Sequence, residues 1–129
     1  TGQPRLANWV AGCDDIAAEV DLGPPGIGVP LALARGDFRW RMAVPEDGRL
    51  PFDGGFPALI EWQGKAHPAS VLPDAGLRLA RLEIAHPEAP ALRAALAGRL
   101  GDVRVVIEAG PIPALRATIT TPEGPRTLC

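Results

Sequence analysis

The chain has 129 residues, 13 of them basic and 15 acidic, for a formal charge of −2. With 47% hydrophobic and 22% charged residues it has the make-up of one folded domain with a buried core, which excludes wholesale disorder. No basic excess attracts a phosphate backbone, which sets nucleic acid aside as a partner. No apolar run approaches the roughly 20 residues of a membrane-spanning helix.

Glycine and proline, 15 of each, divide the chain into short elements. Residues 6–12 are apolar apart from Asn8 and predict a first strand. Residues 14–20 predict a short helix, with Asp14 or Cys13 at its N-cap and acidic residues in its first turn. Extended pieces follow at 29–35, 37–44 and 57–63. In 37–44, Phe38, Trp40, Met42 and Val44 alternate with Asp37, Arg39 and Arg41; in 57–63, Ala58, Ile60 and Trp62 alternate with Leu59, Glu61 and Gln63.

After a proline-bearing linker at 65–75, a strand is predicted at 77–85. A helix follows at 87–100, with Leu92, Leu96 and Leu100 as its core stripe. Strands at 103–108, 114–120 and 124–128 complete the chain. Strand, helix and three strands thus occur twice, over 5–64 and 76–129. The expected class is α+β: paired βαβββ units forming a curved mixed sheet with helices on its outer face.

Residue usage narrows the chemistry. Tyrosine is absent, Ser70 is the only serine and has no nucleophile-elbow setting, and all basic residues but Lys65 are arginine. Cys13 and Cys129 match no metal or redox spacing, which favours reduced thiols and a cytoplasmic setting.

The doubled βαβββ order resembles the vicinal-oxygen-chelate superfamily. The stretches Arg35-Gly36-Asp37-Phe38-Arg39-Trp40-Arg41-Met42-Ala43-Val44-Pro45, Pro57-Ala58-Leu59-Ile60-Glu61-Trp62 and His67-Pro68-Ala69 are similar to its glyoxalase-like domain family, whose members are largely bacterial. So is the opening Arg5-Leu6-Ala7-Asn8-Trp9-Val10 with Asp14-Asp15. The resemblance implies a glyoxalase-like fold, a small-molecule ligand, and a further βαβββ segment ahead of this one, so a fragment of a longer protein is expected. It also implies a divalent metal held near Asn8, Glu61, Glu83 and Thr127. Of these only Glu61 and Glu83 suit a divalent metal, and without histidine they make a poor site, so no metal ligand is assigned and the cofactor stays unknown.

The expected site is therefore the polar side of two strands. Residues two apart share a side, so if Trp40 and Trp62 pack beneath the helices, Arg39, Arg41 and Glu61 form a concave wall with Asn8. There Arg39, Arg41 and Asn8 bind a small oxygen-rich or acidic ligand, and the arginine forks suit its oxygens. Glu61 and His67 are the acid–base candidates of a lyase- or isomerase-like reaction. The competing reading makes the arginines cross-strand ion partners and His67 a backbone-bonded loop residue. His86 is expected at a helix junction. Alternatives for the whole are a ligand-sequestering module of bleomycin-resistance type or an assembly domain, as a homodimer or paired with the upstream segment.

Overall fold

The computed structural model describes residues 4–64, 67–97 and 99–129. Lys65 and Ala66 of the expected linker, and Gly98 of the expected second helix, lie outside the described residues.

The first unit runs β1 (Val10–Gly12), α1 (Ile16–Leu22), β2 (Val29–Arg35), β3 (Phe38–Val44) and β4 (Ala58–Gln63). A one-turn helix, α2 (Pro68–Val71), precedes the second unit: β5 (Arg78–His86), α3 (Ala89–Leu96), β6 (Val105–Ala109), β7 (Ala114–Thr121) and β8 (Gly124–Leu128). The α+β class and the doubled βαβββ order are as expected. The strands assort into two mixed four-stranded sheets, ordered β1-β4-β3-β2 and β6-β5-β7-β8. In the first sheet β1 pairs with β4 in parallel; in the second β5 pairs with β6 in parallel. The second unit thus repeats the element order of the first with a different pairing. Its longer helix carries the chain directly between neighbouring parallel strands, as a crossover connection does.

Helix limits follow from caps. Asp15, not Asp14 or Cys13, is the N-cap of α1: its Oδ1 accepts from Ala18 N at 3.2 Å, so the helix starts two residues later than the acidic pair suggested. Helix α3 starts with Pro90 in its first turn and ends at Ala97, whose backbone is extended. Leu92 and Leu96 are buried, whereas Leu100, the third member of the stripe, lies past the helix end.

One core joins the two units. Ile16 of α1 packs with Ala43 and Leu59 of the first sheet, Leu82, Ile84, Leu115 and Ala117 of the second, and Leu92 and Leu96 of α3. Phe56, from the loop entering β4, is fully buried in the same cluster. Helix α1 lies over β2, β3 and β4, and α3 over β5 and β6. Among the described residues no helix is long and apolar enough to cross a membrane.

The loop between β3 and β4 makes a tight turn at Pro51–Gly54, in which Phe52 and Asp53 adopt left-handed backbone angles (φ 56° and 57°). Such angles cost a non-glycine residue free energy and need support. His86, 4% exposed, supplies it. Its Nδ1 accepts from Glu88 N at 2.9 Å, so the proton sits on Nε2, which donates to Asp53 Oδ2 at 3.0 Å. The ring also meets Phe52 edge-on at 5.5 Å. His86 is a junction residue, tying the entrance of α3 to the turn ahead of β4.

Candidate functional site

The face carrying Arg39, Arg41 and Glu61 is the one that α1 covers. Ala43 and Leu59, which share that side by alternation, are both in the core with Ile16. Arg41 and Glu61 are direct cross-strand partners, but Glu61 Oε1 accepts from Ile16 N at 3.1 Å and so holds the first turn of α1. Arg39 is exposed, its guanidinium turned back toward the carbonyls of Gly36 and Phe38, both at 3.4 Å.

Asn8 does not join these residues. It precedes Val10, which is paired with Ala58 at the start of β4, whereas Arg39 is paired with Gln63 at its end. At strand rise the two lie roughly 20 Å apart. His67 sits elsewhere again: its Nδ1 accepts from Ala69 N at 3.0 Å, capping α2, and its ring lies 4.8 Å from that of Trp62. Glu61 and His67 therefore belong to opposite faces of the first sheet and share no reacting atom.

The indoles of Trp40 and Trp62 are on the other side of the sheet from α1, whereas Trp9 packs against the core. By register Phe38, Trp40, Met42, Ile60 and Trp62 share the side of the first sheet opposite Arg39, Arg41 and Glu61, and of these Ile60 is buried; Trp40 and Trp62 meet at 5.3 Å and Phe38 meets Trp62 at 6.4 Å. The free face of the second sheet is polar. Glu83 stands opposite Arg116 in register, its Oε2 3.9 Å from Arg116 Nε and its Oε1 3.4 Å from Arg81 Nε. Glu83 is thus a strand carboxylate paired with arginine.

The largest recess found among the described residues was not visible in the spacing of the polar residues. A cleft of about 520 Å³ opens between β1, the start of α1 and the end of α3. Leu59, Ile60, Trp62, Leu96 and Leu100 give it apolar walls, while Cys13, Asp14, Asp15, Glu19 and Arg99 supply its polar groups. Arg99 spans it. Its Nη1 donates to Glu19 Oε2 and to Glu19 O, each at 2.9 Å, and its Nη2 to Leu22 O, so a residue after α3 closes the last turn of α1. Burial, then the nearby carboxylates of Glu19, Glu61, Asp14 and Asp15, push the Cys13 thiol up from its ordinary range.

A family model described as a glyoxalase-like domain matches residues 1–100. The chain belongs to the glyoxalase-like domain family. Neither a curated protein nor a solved structure matches it. The family's superfamily implies a divalent metal, and the donors of this glyoxalase-like domain do not fit one. Glu61 is bound to the backbone of α1, Glu83 lies between two arginines, and the two are in different sheets. Among the described residues no group of three His, Cys, Asp or Glu side chains is placed to hold a metal ion.

The thiols of this glyoxalase-like domain give a direct check of the cleft's electrostatics. A raised pKa leaves little Cys13 thiolate at pH 8, and its alkylation by iodoacetamide is expected to rise about tenfold per pH unit up to that pKa. Exposed Cys129 is modified first. Peptide mass spectrometry against time reads both, and labelling of Cys13 ahead of Cys129 at pH 8 contradicts the assignment.

Proposed function

We propose that this glyoxalase-like domain binds a small, hydroxyl- or amine-bearing organic molecule in the cleft between β1, α1 and α3. The observation that supports it is the lining: apolar walls around several carboxylates, against one guanidinium already paired with Glu19. Its size lies within the range of small-molecule sites, and a few convergent polar groups on an apolar ground are their usual make-up. Carboxylates accept hydrogen bonds from hydroxyl and ammonium groups and repel other anions. An oxygen-rich ligand is therefore retained from the sequence reading, and an acidic one is not. Binding without turnover, as in a sequestering module, is favoured by a thiol held protonated and by acid–base candidates on opposite faces. Two unpaired cysteines support a reducing, cytoplasmic setting.

Gly12 lines the cleft, and a Cβ built there meets nothing within 4 Å, so Gly12→Leu adds bulk at the cleft with no atom in the way of its Cβ. In a thermal-shift panel of sugars, polyols, amines and carboxylic acids, hydroxyl- or amine-bearing members are expected to raise Tm by roughly 3–10 °C near saturation. Gly12→Leu is expected to abolish the shift. Stabilisation by acids alone, or to the same extent in Gly12→Leu, rejects the reading.

A further inference from the structure

The cleft is bounded by backbone as well as by side chains. Strand β1 ends at Gly12, opposite Ile60, whereas β4 runs on to Gln63. Ala58 N donates to Trp9 O at 2.9 Å and Ile60 O accepts from Cys13 N at 2.8 Å, so alternate residues of β4 turn their backbone groups toward β1. Trp62 is the next in that series, one step past the end of β1. Its N–H and C=O therefore face away from β3 along an uncovered stretch of edge, and among the described residues neither has a backbone partner there. Trp62 lines the cleft, and so does Asp14, each two residues past the last β1–β4 pair. Resting on the reading that the cleft binds an amine-bearing molecule, we propose that its ligand is the free amino end of a short peptide, an α-amino amide with an aliphatic side chain.

Three observations select that class. An open strand edge offers a donor and an acceptor side by side, and an amino-terminal residue carries the matching pair: its ammonium donates to Trp62 O and its carbonyl accepts from Trp62 N. The remaining ammonium protons need an acceptor. Asp15 Oδ1 caps Ala18 N and Glu19 is paired with Arg99, whereas the exposed Asp14 carboxylate has no side-chain partner among the described residues. Asp14 is thus the acceptor left for the ammonium. Leu96 and Leu100, also in the lining, give an aliphatic side chain an apolar wall. The carboxylates also set a limit. A free amino acid brings a carboxylate where the peptide has an uncharged amide, and is repelled. An N-acetylated peptide has no ammonium for Asp14, and a plain alkylamine has no carbonyl for Trp62 N.

Calorimetric titration of the full chain with leucinamide, leucyl-glycinamide, isopentylamine, leucine and N-acetyl-leucinamide tests this, at about pH 6.5, where the α-amino group is protonated. Leucinamide is expected to bind roughly tenfold or more tightly than isopentylamine, and leucine and the N-acetyl derivative more weakly than either. Leucyl-glycinamide is expected to bind at least as tightly as leucinamide. Asp14→Asn is expected to weaken leucinamide and isopentylamine alike, by about tenfold. In NMR-detected exchange the Trp62 amide is expected to be fast in the free protein and about tenfold slower with leucinamide at saturation, while the Glu61 amide, turned toward β3, stays protected in both. Leucinamide no tighter than isopentylamine, or no added protection at Trp62, overturns the proposal and leaves the cleft an amine site. A leucyl-glycinamide weaker than leucinamide overturns the peptide end. Absence of binding by every compound overturns the reading of the cleft as well.

Discussion

Gly28→Ala is expected to abolish the folded state or to cost upward of about 4 kcal/mol, among the largest effects a single methyl group can have here. Gly28 has φ +99°, a backbone region closed to side-chain-bearing residues. A Cβ there runs into the carbonyl group of Val44 and the nitrogen of Pro45. Both neighbours are backbone at the end of β3, opposite Val29 in the ladder, so neither can yield without breaking the β2–β3 register. Urea unfolding followed by circular dichroism measures the loss. Gly36→Ala is the control. It is also at positive φ, but a Cβ there meets nothing within 4 Å, so only the smaller backbone strain of roughly 1–2 kcal/mol is expected. Equal losses at the two positions contradict the argument from close approach.

Phe56→Ala is expected to destabilise by about 3–5 kcal/mol. The ring is fully buried in the cluster that holds α1, α3 and both sheets, so truncation leaves a cavity that neither sheet alone can close. Phe56→Leu keeps most of the volume and is expected to lose less than half as much. Phe56 also lines the cleft, so its truncation is expected to weaken ligand binding beyond the loss of stability. One cooperative transition is predicted for the wild type and both variants, because one core serves both units. Separate transitions for the two halves contradict the shared core.

The elements themselves were legible because each has a local cause. The two-residue alternation along Phe38–Val44 and Ala58–Gln63 is printed in the residues and recurs in the ladder; Asp37, read as part of the strand, lies in the turn before it. The helix starts were less so: Asp14 and Asp15 are equivalent by type, and only the capping bond to Ala18 distinguishes them. Cross-strand partners depend on the order of strands within the sheet, which no local pattern carries. Strand β5 lies between β6 and β7, so Arg116 faces Glu83 and Glu108 faces Ala85.

From the chain alone came the α+β class, the doubled βαβββ order, and the sorting of β3 and β4 into an aromatic and an arginine–glutamate side, since strand pleating and turn chemistry are local. Which side is covered was decided in three dimensions. The richer apolar set, Trp40 with Trp62, was the natural candidate for the core, yet α1 lands on the other. Ala43, 1% exposed, is small enough to let Ile16 close on the sheet, and Glu61 receives the helix's first free N–H. A pattern with period two divides residues into two sets without ranking them; the approach of a helix ranks them, and with that choice the cleft beside β1 and the aromatic face opposite α1 come into being.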